Sequence, residues 1–306
     1  MHRQISCLVA VLALLVATRA DAAAVAHSAA PPDTFETHAL KDRAETVEFF
    51  HKDPMSPLAT ILREDIPRGA TVTIGSAPGN EVVLADTSVS ARHVSVRVEG
   101  QGFRVEALDP GATFTVKGEA KREATVPPST IGIGRYRVRL SYQNAPAVIV
   151  FDPEHIKASA FQGPTYFKYD RRYRFLVPLA REAKADTVLI ESTHGQPRPA
   201  LRVGRFTLKL PGKPVRLAAY RLLEPGVGEE DLGLFFMDTT NGHGSYHGGR
   251  YVDVAKSSDG RYRVDLNLAY NPSCAYSPHY NCPIPPRENR LSVRIPVGES
   301  WTGEAP

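Results

Sequence analysis

Blocks of like charge are missing from this chain of 306 residues. It carries 37 lysines and arginines against 33 aspartates and glutamates, for a formal net charge of +4 with histidine neutral. The surplus is spread along the whole length, so no basic stripe marks a nucleic-acid face, and DNA and RNA are excluded as partners. Apolar runs long enough to cross a bilayer are missing too: the run near the start stops at Ala17, short of the roughly 20 helical residues a span requires. Cysteine is scarce, with three in all. Fixed-spacing catalytic signatures are also lacking, with no Gly-x-Ser-x-Gly elbow, no P-loop and no His-Glu-x-x-His.

What is present begins with Met1-His2-Arg3-Gln4, the apolar run Ile5–Ala17, and small residues at Ala20 and Ala22. A basic start, a short apolar stretch and a small-x-small site are the parts of a cleavable secretory signal. The expectation is a periplasmic or secreted protein, mature from about Ala23, with no membrane span after cleavage. Cys7 leaves with the signal. Cys274 and Cys282 remain, and in an oxidising compartment they are expected to form a disulfide. Closing so short a loop stabilises by only about 2–3 kcal/mol.

Residues 23–32 are small and polar and read as a leader. Asp33 or Thr34 caps a helix in which Leu40, Ala44, Val47 and Phe50 share a face, and which stops before Asp53-Pro54. Beyond Pro57 the texture is β. TVTIG (71–75), EVVL (81–84), VSVRV (94–98), FRVEA (103–107), TFTVK (113–117), TIGIG (130–134) and YRVRLSY (136–142) form one series. YRFLVPL (173–179), TVLIE (187–191), RFTLKL (205–210), VRLAAYRL (215–222), LGLFFM (232–237), YRVDLNL (262–268) and LSVRIPV (291–297) form a second. Turn residues separate them at intervals near ten, the spacing of sandwiches and barrels. The fold class is mainly β: an N-terminal amphipathic helix, a β-sandwich, then a second antiparallel β-sandwich or barrel. The divisions are 1–22 signal, 23–60 leader and helix, 61–150 sandwich and 151–306 C-terminal β domain, with AVIVF (147–151) as a strand shared at the boundary.

Within the first β series, Ile74-Gly75, Asn80-Glu81-Val82-Val83-Leu84, Ser90-x-x-His93 and Gly111-Ala112-Thr113-x-x-Val116-x-Gly118 stand in order. This arrangement resembles a forkhead-associated (FHA) domain, a β-sandwich that binds phosphothreonine peptides. The family's loop arginine is Ser76 here and its backbone-holding asparagine is Gly111. A phosphate dianion wants charge-assisted donors, so the expectation is an FHA-like sandwich without that activity.

The second series contains Asp238-x-Thr240, Tyr246-x-Gly248-Gly249-Arg250-Tyr251 and Ala269-Tyr270-Asn271-Pro272-x-Cys274-Ala275-Tyr276. It continues to Cys282-Pro283-x-Pro285-Pro286-x-Glu288-Asn289-Arg290-Leu291. With Asp53-Pro54-Met55-Ser56-Pro57, Phe161-Gln162-Gly163, Tyr166-Phe167 and Tyr173-Arg174, these segments resemble an uncharacterised bacterial family, domain-of-unknown-function family 1684. The resemblance implies an architecture and candidate residues, and no activity.

Three chemistries suit those residues. Tyr246, Arg250, Asp265, Asn267, Tyr270, Asn271, Glu288 and Asn289 would make an aromatic and amide-rich pocket for an unidentified small ligand or peptide. Asp265 or Glu288 with Tyr246 would serve a hydrolase or transferase as acid and base. Cys274, His279 and Cys282, completed by His243 or His247, would bind zinc. Ligand binding is the preferred reading, and neither a cofactor nor a resident metal is expected.

Overall fold

Residues 34–143 and 145–303 are described by the structure, a computed structural model; the expected signal segment and leader lie outside the described residues. Helix α1 (Thr34–Lys52) ends immediately before Asp53-Pro54, where the proline constraint places its end. Its inward face is not the expected one. Leu40 is 54% exposed and Ala44 is exposed, while Ala39 and Phe50 are buried with Phe35, Arg43, Thr46 and Val47 partly so. The surface beneath explains the difference, because it offers rings and cations rather than aliphatic grooves. The Arg174 and Arg263 guanidiniums lie 4.7 and 5.7 Å from the Phe35 ring. Arg43 lies 4.7 Å over Tyr166, and Phe50 meets Tyr276 at 4.6 Å and Phe161 at 5.3 Å. Cation–π and aromatic contacts choose the face.

Eleven strands follow: β1 (Thr60–Asp65), β2 (Thr71–Gly75), β3 (Val82–Val83), β4 (Val94–Glu99), β5 (Gly102–Ala107), β6 (Phe114–Val116), β7 (Glu119–Lys121), β8 (Glu123–Val126), β9 (Ser129–Ile133), β10 (Tyr136–Tyr142) and β11 (Pro146–Phe151). They make a six-stranded sheet in the order β1-β11-β10-β9-β6-β7 and a five-stranded sheet in the order β3-β2-β4-β5-β8. The inward residues of each sheet alternate, and Ile74, Val94, Val96, Phe103 and Val105 meet Ile131, Val138, Leu140, Val148 and Val150 in one core. AVIVF is not shared between domains: it lies in β11, paired on both sides by β1 and β10.

A short helix α2 (Pro153–Ala158), capped by Asp152, leads into seven antiparallel strands. These are β12 (Arg174–Val177), β13 (Ala180–Ile190), β14 (Arg198–Lys209), β15 (Pro214–Leu222), β16 (Leu232–Phe236), β17 (Arg250–Lys256) and β18 (Tyr262–Asp265). Their order is β12-β18-β17-β16-β15-β14-β13. One face buries Phe206, Leu217, Leu234, Phe236, Val252 and Val264. The other buries Tyr220, Phe235 and Tyr251 beneath the loop that carries Cys282. The chain is therefore mainly β with one long N-terminal helix.

The expected last strand, Leu291–Val297, is extended but joins no ladder. Backbone bonds from Leu291 N to Met237 O at 2.8 Å and from Thr239 N to Val293 O at 2.9 Å hold its first half, and a side chain holds the rest. The Arg250 guanidinium, fully buried, donates to the Val297 carbonyl, to Ile295 O at 2.8 Å and to Glu299 O at 3.2 Å. Its charge is matched by Asp238 at 2.6 Å, both side chains having no solvent contact. Gly298 makes the turn that follows: its φ is +79°, and a Cβ there would sit 2.6 Å from the Ala269 carbonyl.

Removing one partner of a buried ion pair strands the other. Arg250→Met is expected to cost about 3–5 kcal/mol in urea unfolding. Arg172→Ala, which breaks the exposed pair with Asp170, should cost less than about 1 kcal/mol. Equal effects would show that Arg250 does not hold the C-terminal run.

Candidate functional site

Most of the polar residues singled out in the second β domain are internal fasteners. Asp265 ends β18 and accepts from Asn267 N at 2.9 Å and Asn267 Nδ2 at 2.8 Å, making a buried turn of residues 265–267. Asn267 then pins residue 170, its Oδ1 accepting from Asp170 N at 2.8 Å and its Nδ2 donating to Asp170 O at 3.0 Å. Asn289, fully buried, accepts from Ala218 N at 2.8 Å and donates to Ala218 O and Phe235 O, both at 2.9 Å. It bridges β15 and β16, whose ladder has a single pair at Tyr220 and Gly233. Glu288 sits in an ion network with Arg202 and Arg205 and accepts from Tyr220 Oη. Asp265 and Glu288 line neither cavity described below.

The cysteine and histidine candidates do not assemble a metal site. Among the described residues no three His, Cys, Asp or Glu side chains are close enough to hold an ion, which removes the zinc alternative. His279 faces His194 and Arg63, and its pKa is lowered, chiefly by burial. Cys274 and Cys282 are unbridged thiols. The 3-10 turn Ser273–Ala275 aims the Cys274 amide at Cys282 Sγ, 3.3 Å away, so that sulfur is an acceptor rather than a bonded partner. Their mutual hydrogen bond lowers the pKa of Cys274 and raises that of Cys282 well above the ordinary thiol range. Tyr246 stands beside them with Trp301 at 5.2 Å. In the sandwich, His93 is also internal: Nδ1 accepts from Ser90 N at 3.0 Å and Nε2 donates to Thr113 O at 2.8 Å.

Tyr270 and Asp253 belong to the walls of two cavities. The larger is a cleft of about 650 Å³ between the two β units. Its floor is the outer face of β15–β17, with Tyr220, Gly233, Phe235, Tyr251 and Asp253. One wall is the 270–283 loop with Tyr270, Tyr280 and Asn281; the opposite wall is Arg139 and Gln143 at the end of the sandwich; the rim carries Glu230 and Asp231. Tyr280 closes the join by packing 6.4 Å from Phe151. Arg198, also in the lining, is neutralised by Glu224 at 2.6 Å. Arg139 stacks 5.2 Å over Phe151 and has no ion pair among the described residues. The buried Asn281 Nδ2 has no hydrogen-bond partner.

The smaller cavity, about 300 Å³, lies beneath α1. Asp42, Thr46, Phe49 and Phe50 of the helix roof it over Tyr166, Asn271, Tyr276 and Glu299. Glu299 Oε2 accepts from Asn271 N at 2.7 Å and Tyr276 Oη at 2.8 Å. Burial pushes the Glu299 carboxyl up to about 7 against these bonds. Asp42 is raised by burial. Asp253 is raised by its crowded surroundings, although it still meets water through the cleft mouth, and Tyr270 Oη donates to it at 3.1 Å.

The structure thus brings Asn267, Tyr270 and Asn271 of the expected set to the small cavity and Tyr270 to the cleft, leaving Tyr246, Arg250, Asp265, Glu288 and Asn289 outside both. Sequence reasoning missed Asp42, Arg139, Asp253 and Glu299. Tyr251-Val252-Asp253 carries a signal, since strand alternation puts Tyr251 and Asp253 on one face. Glu299, alone near the end of the chain, carries none.

The profile of a family described as "Protein of unknown function (DUF1684)" matches residues 159–300. Among solved structures, an uncharacterised protein of Haloarcula marismortui is 31% identical over 50% of this chain and 82% of its own, with a TM-score of 0.39. An FHA domain from a study of phosphothreonine-dependent interactions is 23% identical over 27% of this chain and 78% of its own, at a TM-score of 0.21. The second FHA domain of a Mycobacterium tuberculosis ABC transporter is 20% identical over 27% and 76%, at 0.23. No curated protein matches the chain.

Glu299 fixes a pH dependence. Its carboxyl rises from an ordinary 4.5 to about 7 on folding, so the folded state holds the proton more tightly. The associated stability is fully present below about pH 4.5 and is lost as pH rises through 7, by at most about 3 kcal/mol at roughly 1.4 kcal/mol per unit. Glu299→Gln keeps both acceptor bonds and should flatten that slope in urea unfolding compared at about pH 5 and pH 8. An unchanged slope would show that Glu299 is already ionised in the fold.

Proposed function

We propose that this chain, whose residues 159–300 match the profile of the DUF1684 family of proteins of unknown function, is a binding protein whose cleft takes a small polyhydroxylated ligand of the sugar type. The observation that carries this reading is the lining of the 650 Å³ cleft, a size ordinary for small-molecule sites. Aromatic rings from Tyr220, Phe235, Tyr251, Tyr270 and Tyr280 supply apolar faces. Arg139 and the unpartnered Asn281 amide supply donors, and Asp231 and Asp253 supply acceptors. Ring faces bordered by both donors and acceptors suit the C–H and O–H surfaces of a sugar better than a purely apolar or singly charged ligand. The sandwich contributes Arg139 and Gln143 as one wall, with no call on phosphate recognition.

The basic, apolar and small-residue pattern of residues 1–22 supports export of the chain. In an exported compartment Cys274 and Cys282 would be oxidised, each losing one hydrogen to a disulfide oxidant as the bridge forms. Intact mass of the exported protein tests both points: a chain starting near Ala23 and two mass units light supports them, and an unprocessed chain with full-mass thiols overturns them.

Binding is tested by titration calorimetry of the full chain with gluco- and chito-oligosaccharides. Arg139→Ala should weaken binding by at least about tenfold, the scale of one lost charge-assisted contact, with no shift of the unfolding midpoint. Absence of binding, or binding indifferent to Arg139→Ala, overturns the cleft as the site.

A further inference from the structure

The cavity beneath α1 gathers acceptors, with the Tyr166 hydroxyl an unpartnered donor among them. Asn271 is 3% exposed, and its neighbours fix which way its amide points. Nδ2 donates to Ser300 O and Tyr276 Oη, each at 3.2 Å. Tyr276 gives its own proton to Glu299, so its oxygen needs a donor in return, and a carbonyl can only accept. Turning the amide over would set oxygen against oxygen at both places. Oδ1 is therefore the free end, buried without a hydrogen-bond partner, which is rare for a native acceptor. Glu299 spends both of its bonds on Oε2, leaving Oε1 with none among the described residues. Asp42 from α1 and Asp253 from β17 line the same space.

Arg43 lies against the Tyr166 ring, its Nε and Nη2 buried without hydrogen-bond partners; it makes no ion pair with Asp42, Asp253 or Glu299. The space also has aromatic surfaces, from Phe49, Phe50 and Tyr270. Acceptors in excess of donors, among ring faces, suit an ammonium, which has three donors and no acceptor and is drawn to aromatic faces. A metal ion fits poorly, since no three ligating side chains converge.

We propose that this cavity binds a small organic cation, a primary amine or diamine with a short alkyl or aromatic body, held by Asn271 Oδ1, Glu299 and Asp42. A volume of about 300 Å³ admits such a molecule at the small end of ligand sites. This site is separate from the sugar cleft and does not rest on it: Asp42, Asn271 and Glu299 line only the cavity, and Arg139 lines only the cleft.

Calorimetric titration of the full chain with 1,4-diaminobutane and benzylamine, against 1,4-butanediol and benzyl alcohol, tests the proposal. At about pH 8, where Glu299 is mostly ionised, the amines should bind and the alcohols should not. Glu299→Gln and Asp42→Asn should each weaken amine binding by about tenfold or more, and Arg139→Ala should leave it unchanged. Asp42 sits on the helix surface, so its variant keeps the test valid if Glu299→Gln disturbs the fold. Equal binding of alcohols and amines, no binding of either amine, or amine binding indifferent to both substitutions overturns the proposal.

Discussion

The end of the second β domain is organised by one buried charge pair, Arg250 with Asp238. A charge taken wholly out of water is tolerable only when its partner and its remaining donors are satisfied, and the planar guanidinium is suited to that because its donors fan out in fixed directions. Here they reach the carboxylate and three successive alternate carbonyls, at 295, 297 and 299. Those carbonyls would otherwise require a neighbouring strand. With the arginine in place, residues 291–299 can run as a single extended chain, turn at Gly298, and deliver the Glu299 side chain into the space under α1. The acidic character of that cavity is thus a consequence of a latch formed on the opposite side of the backbone.

Asparagines do the same kind of work elsewhere. Asn289 presents an amide with the donor and acceptor spacing of a peptide group and stitches β15 to β16 where their ladder is nearly absent. Asn267 ties the 170 turn to the end of β18. Both are residues whose polarity invites a functional reading, and both are consumed by backbone groups that would otherwise be buried and unpaired. The groups with spare capacity are different ones: Asn271 Oδ1, Asn281 Nδ2, the Arg139 guanidinium and the outward carboxylate of Asp253.

Local signals in the sequence were read well where one physical effect dominates. TVTIG and YRVRLSY became β2 and β10 residue for residue because alternation and flanking turns agree, and α1 stopped where Asp53-Pro54 required. Strands lacking such agreement were missed: β1, with Arg63-Glu64-Asp65, and the short polar β7 and β8; β17 was missed too, although Tyr251-Val252-Asp253-Val254 alternates. LSVRIPV alternates like a strand, yet its Ile295 and Val297 carbonyls are satisfied by Arg250, a long-range event that no local pattern encodes. The site was legible in residue type more than in role. Tyr270 and Asn271 do line cavities, but pairing Arg250 with Asp238 or Asn289 with Ala218 depends on contacts far apart in sequence. Asp42 and Arg139 sit outside the segment of unusual composition altogether.

The orientation of α1 follows from the same economy of polar groups. By aliphatic periodicity Leu40 should turn inward, and exposing it forgoes favourable burial of an apolar side chain. An inward Leu40, however, would set an alkyl chain toward a surface that carries Asn271 Oδ1, Asp253 and Glu299, none of which it can satisfy. The observed rotation sets Asp42 and Thr46 over that surface and seats Phe35 and Phe50 on cations and rings at either end of the helix. The helix thereby leaves a small space lined with acceptors instead of filling it with hydrocarbon.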